Sequence, residues 1–346
     1  MEYTLSEPAV TMVVTEPNGP LVPTSATPAQ PDSTWVRVSV KASGVCNADV
    51  STAEARGATP QSPVTPGHEV AGVIEEIGND VSGWSVGERV SVGWFGGSCG
   101  HCRYCQVGDV VHCLERKVPG LSYQGGWAQS ITVPADTLAR IPEALDFFEA
   151  APFGCAGVTA FNAVRKAGIR PGGRVAVYGV GGLGHLALQF AAKLGYETVA
   201  ISRGDAREKL AYGLGAHHYI NSDRTPSGAA LGELGGADLI VYTASSTEPV
   251  NELLKGLAVH GQITLVGADA GSVSIPSAQL VMNGQTVTGH LTGSPRETQE
   301  AMDFAAINGV RPMIERMPLE QASEAVARLR NGAPRFRIVL DAVETK

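Results

Sequence analysis

Four of the six cysteines in this 346-residue chain crowd into fifteen positions: Cys99, Cys102, Cys105 and Cys113, spaced C-x2-C-x2-C-x7-C. Four thiolates in one short loop can surround a tetrahedral Zn2+ and leave no coordination position open. Such a closed site orders its loop and does no chemistry. An iron–sulfur cluster or a pair of disulfides would use the same residue type, but the x7 gap and the missing Cys-Pro step suit iron–sulfur ligation poorly. The other two cysteines, Cys46 (in KASGVCNAD) and Cys155 (in APFGCAGVT), stand 109 residues apart, and His68 lies between them in PGHEVAG. Taken singly, each cysteine also reads as a small buried core residue.

A second constellation is Gly-rich. Gly179, Gly181 and Gly184, with Gly182 and Leu183 between, spell G-x-G-x-x-G. The motif follows a run read as a strand and opens one read as a helix, the context in which it binds a dinucleotide. Gly179 makes the tight turn, Gly181 lets the backbone approach the pyrophosphate, and Gly184 permits close helix packing. The helix N-terminus then faces the phosphates. An NAD site carries an acid about 20 residues further on. Here that position is Ser202, followed by Arg203, with Arg207 one helical turn beyond. Without the carboxylate a 2′-phosphate is not repelled, and Arg203 can pair with it through a planar fork. The expected cofactor is NADP(H). Asp205 is the competing feature, as a ribose-binding acid that would favour NAD.

The three Cys/His/Cys segments, the four-cysteine loop and the glycine turn, in this order and spacing, resemble the zinc-dependent medium-chain alcohol dehydrogenases. The similarity is nearest to the bacterial NADPH-dependent alcohol dehydrogenases and aldehyde reductases related to the cinnamyl alcohol dehydrogenases. The resemblance implies that Cys46, His68 and Cys155 bind a catalytic zinc, giving two Zn2+ per chain. Two thiolates and one imidazole leave a fourth position for a substrate oxygen. Asp49 and Glu69 are candidate supporting carboxylates, Asp49 holding His68 in one tautomer. The resemblance further implies that Thr159 packs on the nicotinamide, that Arg337 reaches the cofactor phosphates, and that the protein acts on a small alcohol or aldehyde as a homodimer or homotetramer. The fold implied is α/β: a GroES-like β-rich catalytic domain over 1–154 and 292–346, and a Rossmann doubly wound parallel-sheet domain over 155–291.

One position departs from the family. Relatives place Ser or Thr two residues after the first zinc cysteine, where the hydroxyl starts the proton relay. This chain has Ala48, and a methyl group transfers no proton. Ser51 is the nearest hydroxyl available for a relay, Asn47 being one position off. Reduction of a carbonyl, reduction of an activated C=C or C=N bond, and a non-catalytic nucleotide-binding or redox-sensing role are the readings that compete. Trp94, just before the four-cysteine loop, is either a pocket wall or core packing.

These residues need scaffolds, and the hydropathy pattern supplies two. Short β-rich runs around Trp35, Val70 and Arg89, separated by Pro and Gly turns, fill the first 150 positions. The Pro/Thr/Ser-rich stretch 15–34 reads as a surface loop. Beyond Arg174, strands at 175–178, 198–201, 239–242 and 262–266 alternate with helices at 183–194, 206–214 and 249–257, the signature of a parallel doubly wound sheet. Two amphipathic helices, 295–307 and 320–330, lead to a last strand at 337–340. A net charge of −8, with no long basic run, argues against a nucleic-acid partner. The N-terminus lacks a signal-peptide pattern and no stretch suits a membrane, so a soluble cytoplasmic protein is expected.

Overall fold

The computed structural model describes residues 8–16, 19–53, 63–267 and 271–343. It divides into two compact units, one made of Met1–Val158, Thr292–Ile307 and Pro312–Lys346, the other of Thr159–Leu291 and Asn308–Arg311. The division therefore falls at Thr159 rather than at 155, and Cys155 lies in the same unit as Cys46 and His68. The Gln189 side chain holds the short return Asn308–Arg311 to the second unit. Gln189 donates from Nε2 to the Arg311 carbonyl at 2.9 Å and accepts the Arg311 N–H at 3.1 Å.

In the first unit, β1 (Ala9–Val14) and β2 (Leu21–Ala26) pair antiparallel. The stretch expected as a surface loop thus contains a strand. The other edge of β1 bonds to Trp127, Gln129 and Val64, and Pro23, which has no N–H to donate, is tolerated because β2 is the exposed edge. The cysteines ride on a larger sheet. β3 (Trp35–Val45), β4 (Val70–Ile77), β5 (Arg89–Val92), β6 (Ser130–Pro134) and β7 (Leu138–Arg140) join Ile314–Pro318 and Arg337–Asp341, seven strands among the described residues. Period-two alternation puts Val36, Val38 and Val40 of β3 into one core with Ile74, Trp127 and Leu340.

Register then positions the chemistry. β3 runs antiparallel to β4 with Ser43 opposite Val70, and the Gly44 N–H donates to the Glu69 carbonyl at 2.7 Å. Cys46, just past the end of β3, and His68, just before β4, are delivered to the same end of the sheet. Arg337–Asp341 pairs with β3 on its other side, Ile338 opposite Val45, which brings Arg337 to that end as well.

The second unit is a sheet of six parallel strands among the described residues. They are β8 (Arg174–Tyr178), β9 (Glu197–Ser202), β10 (His218–Asn221), β11 (Ala237–Tyr242), β12 (Leu257–Leu265) and β13 (Thr286–Gly289), in the order β10-β9-β8-β11-β12-β13. The chain reverses its direction of growth between β8 and β11, so the crevice at their C-terminal ends is the ligand position of such a sheet. Strands β8, β9 and β11 are near-continuous apolar runs because helices cover both faces. β10 and β13 are short outer strands whose sequences, HYIN and TVTG, lack that apolar run. β12 begins at Leu257, earlier than its apolar pattern suggests, through a register shift opposite Ala237/Leu239. Among the described residues, no helix is long and apolar enough to cross a membrane.

Candidate metal centres and cofactor loop

The four cysteines of the 99–113 loop present their sulfurs within 4.8 Å of one another. Cys102 and Cys105 stand 3.6 Å apart, as do Cys99 and Cys113. Zinc–sulfur bonds of about 2.3 Å imply sulfur–sulfur edges of about 3.8 Å in a tetrahedron, so the cage fits the ion. Backbone N–H groups of Cys99 and Glu115 donate to the Cys113 sulfur at 3.3 Å, and that of Cys102 to the Cys99 sulfur at 3.4 Å. Donors aimed at sulfur favour the thiolate over the thiol. Backbone N–H groups of Cys105 and Leu114 likewise draw the Cys102 thiol down to about 6.

The second cluster is buried. Cys46, His68, Glu69 and Cys155 place their ligand atoms within 4.8 Å of one another. Cys155 arrives through close backbone packing: the Trp94 N–H donates to the Gly154 carbonyl at 3.0 Å, and a Cβ on Gly93 would lie 2.4 Å from that oxygen. Asp49 is the organiser. Its Oδ1 takes the His68 Nδ1 proton at 2.6 Å and the Gly67 N–H at 3.0 Å, and its Oδ2 takes the Cys46 N–H at 3.0 Å. With Nδ1 so engaged, His68 keeps Nε2 for a ligand, and that buried nitrogen has no hydrogen-bond partner. An orphaned imidazole nitrogen beside two sulfurs is the donor set of a three-ligand zinc site. The Cys155 thiol donates toward Cys46 and pulls Cys46 well below the usual thiol range, against burial and with help from His68 and Arg337. Burial opposes charge on His68, yet Asp49 and Cys46 together hold its pKa above the ordinary imidazole value.

Glu69 is not solvent-exposed. Arg337 Nη2 meets both of its carboxylate oxygens at 2.5 Å. Burial lifts Glu69 to about 7, the nearby Arg337 opposing. The expectation put Arg337 on the cofactor phosphates; its Nη2 is instead taken by Glu69 beside the Cys46 cluster. Ser51 donates its hydroxyl to the Asn47 carbonyl four residues back at 3.1 Å, so in this geometry its proton is committed to backbone. Trp94 is half-buried, with the Arg116 guanidinium 5.8 Å from its ring centre.

In the second unit the three motif glycines differ in what they allow. Gly179 has φ +95°, the left-handed turn that favours glycine. A Cβ on Gly184 would lie 1.8 Å from the Gly179 carbonyl oxygen, whereas a Cβ on Gly181 would meet nothing within 4 Å. The empty cradle at Gly181 suits a pyrophosphate approaching the backbone. The turn is fixed by Thr243, whose hydroxyl lies 2.9 Å from the Tyr178 carbonyl and 2.8 Å from that of Gly179. Gly182 and Leu183 lead into the helix Gly184–Lys193. Ser202 ends β9, with Arg207 Nη1 at 3.5 Å from its hydroxyl, and both Arg203 and Arg207 are exposed. Asp205 is engaged by Arg224 at 2.5 Å and by Asn221 at 2.7 Å. Thr159 is buried, and its hydroxyl donates to the Leu291 carbonyl at 3.5 Å. The Glu69–Arg337 pair and the grip on Asp205 link residues far apart in sequence and carried no sequence signal.

Residues 32–143 match the alcohol dehydrogenase GroES-like domain, and residues 182–306 match the zinc-binding dehydrogenase domain. The chain belongs to the zinc-dependent medium-chain alcohol dehydrogenases. This dehydrogenase is 39% identical to alcohol dehydrogenase notN of Aspergillus sp. (strain MF297-2) over 303 residues, 88% of this chain and 89% of that one. It is 33% identical to the NADP-dependent alcohol dehydrogenase C 1 of Mycolicibacterium smegmatis over 308 residues, 86% of this chain and 87% of that one. The solved cinnamyl alcohol dehydrogenase of Sorghum bicolor matches the dehydrogenase with a TM-score of 0.88 at 30% identity, covering 98% of this chain and 99% of that one. It is an oxidoreductase of alcohols on a GroES-like plus Rossmann fold.

Proposed function

We propose that this dehydrogenase is NADP(H)-linked, carries two Zn2+ per chain, and interconverts a small alcohol with its aldehyde or ketone. The observation that carries the cofactor reading is the end of β9. Ser202 stands where an NAD site has its acid, exposed Arg203 and Arg207 flank it, and the nearby Asp205 is already bonded to Arg224 and Asn221. The name of the mycobacterial relative points the same way. Cys46, His68 and Cys155 are the assigned ligands of a catalytic zinc, which when bound supplies Lewis acidity to the substrate oxygen.

The chain's own residues do the rest. Asp49 fixes the His68 tautomer so that Nε2 faces the two sulfurs. Arg337 neutralises Glu69 and so keeps a second buried carboxylate from adding unpaired charge. Gly179, Gly181 and the start of the helix at Gly184 hold the pyrophosphate, and Thr159 is assigned to the nicotinamide. Assembly as a homodimer or homotetramer, and a cytoplasmic location, belong to this proposal on the family likeness alone.

Ala48 supports a second reading. With no hydroxyl at that position and Ser51 bonded to Asn47, proton delivery to an alkoxide needs water or a rotated Ser51, whereas reduction of an activated C=C or C=N bond leans less on that relay. Specificity constants for NADPH and NADH, measured with aldehydes, enals and imines, test both statements. The expected result is a clear NADPH preference with aldehyde turnover that rises in Ala48→Ser. A ratio near one or below defeats the cofactor reading. Efficient enal or imine reduction, with alcohol oxidation unmoved in Ala48→Ser, replaces the carbonyl reading.

A further inference from the structure

The turn after β9 carries Arg203, Gly204 and Asp205, and the end of β10 grips it. Asn221 is the hub. Its Oδ1 accepts the Gly204 N–H at 3.1 Å and the Asp223 N–H at 3.0 Å, while its Nδ2 donates to Asp205 Oδ1 at 2.7 Å. Tyr219 donates its hydroxyl to the Gly204 carbonyl at 2.7 Å, and Arg224 Nη2 meets Asp205 Oδ2 at 2.5 Å. The parallel register sets Asn221 opposite Ser202. The grip therefore sits beside the position where an NAD-binding acid would stand.

We propose that Asn221, with Arg224, is a positioning and selectivity device for the 2′-phosphate of NADP(H). The proposal rests on the NADP(H) reading above. Two effects combine. First, both peptide groups of Gly204 are pinned, its N–H by Asn221 and its carbonyl by Tyr219, so the backbone next to Arg203 is ordered before the cofactor arrives. Ordering in advance removes part of the entropy that an exposed arginine and a glycine lose on binding. Second, both oxygens of Asp205 are occupied. These two donors hold the carboxylate turned toward Asn221 and Arg224 and leave it fewer acceptor sites for a ribose hydroxyl, and the Arg224 charge offsets its repulsion of a phosphate dianion.

A device acting on the 2′-phosphate must change NADPH binding and spare NADH, whereas a general loosening of the fold changes both. The test uses the full-length, zinc-loaded enzyme. NADPH and NADH dissociation constants from nucleotide fluorescence are paired with kcat and KM for each cofactor. Asn221→Ala is expected to weaken NADPH about tenfold, the scale of one or two lost hydrogen bonds, and NADH less than about twofold. In an Arg203→Ala background it should add less than in the parent, because the residue it positions is gone and only its hold on Asp205 remains. Arg224→Ala, at a side chain 71% exposed, should lower the NADPH preference, and Arg224→Ala with Asp205→Asn should restore it. Equal losses for both cofactors overturn the proposal. So does a full Asn221→Ala penalty in the Arg203→Ala background, or a failure of Asp205→Asn to restore Arg224→Ala. A parent enzyme that prefers NADH refutes the NADP(H) reading itself; an NADPH-preferring parent unmoved by Asn221→Ala or Arg224→Ala refutes the device alone.

Discussion

Gly181 and Gly184 lie three residues apart in one motif, and alanine at each should fail in a different way. At Gly184 an added Cβ would sit 1.8 Å from the Gly179 carbonyl oxygen and 3.3 Å from Val177 Cγ1. Real Cβ contacts keep at least 3.0 Å, so 3.0 − 1.8 = 1.2 Å must be opened. Neither side yields easily. The Gly179 carbonyl is anchored by Thr243, and the helix Gly184–Lys193 is packed through Leu186, Ala187, Leu188, Phe190 and Ala191, all fully buried. Overpacking of this kind costs about 1–3 kcal/mol, and a backbone obstacle puts Gly184→Ala at the upper end, a fall in Tm of roughly 10 °C for a unit of this size. At Gly181 the Cβ would meet no atom within 4 Å, so Gly181→Ala should leave Tm within about 2 °C of the parent. The methyl would instead occupy the space the pyrophosphate needs, raising the NADPH dissociation constant at least about tenfold. Calorimetry without nucleotide and fluorescence titration with it read the two effects separately. Gly184→Ala melting like the parent, or Gly181→Ala binding NADPH like the parent, would falsify this account of the loop.

Asp49→Asn removes the carboxylate that holds His68 Nδ1 and should weaken the catalytic zinc about 10–100-fold in a chelator competition, with the second zinc retained; unchanged competition argues that Asp49 only caps backbone N–H groups. Cys102→Ser opens the four-thiolate cage and should lower zinc from two ions per chain to one, with new protease cleavage around 97–117; two ions retained would contradict a closed cysteine cage. Glu315 accepts the Arg335 N–H at 2.7 Å and an ion pair from Arg328, which hold its pKa below the usual carboxylate value despite partial burial. A depressed folded pKa stabilises the fold above the unfolded value, and that contribution disappears as pH falls through the folded one. The Tm gap between the parent and Glu315→Gln should therefore be open at pH 7 and close below about pH 4, and a gap constant across pH 3–7 would show that charge is not its source.

Chemistry written into short stretches of sequence was legible, and chemistry made by long-range pairing was not. The four-cysteine spacing and G-x-G-x-x-G each complete themselves within one loop or one strand–turn–helix, so residue types and intervals suffice. The meeting of Cys46, His68 and Cys155 depends on the β3–β4 register and on the glycine contact at Gly93 and Gly154. No periodicity encodes those, and only the family likeness grouped the three residues. Arg337 shows the limit. The final strand was readable, but its burial against Glu69, 268 residues away, follows from pairing with β3. The strand at 21–26 hid behind Pro, Ser and Thr because an exposed edge needs little apolar alternation. HYIN and TVTG escaped notice because outer strands of a parallel sheet are short and only partly buried.

The central claim is that hydride chemistry depends on a metal held by Cys46, His68 and Cys155. Zinc content and NADPH-dependent aldehyde turnover, followed together while a chelator strips the protein and zinc is restored, test it most directly. Two zinc ions per chain are expected, with turnover lost in step with the ion at Cys46, His68 and Cys155, recovered on readdition, and not recovered in Cys155→Ser. Turnover that persists after that ion has gone, or that survives in Cys155→Ser with parental kcat, would contradict it.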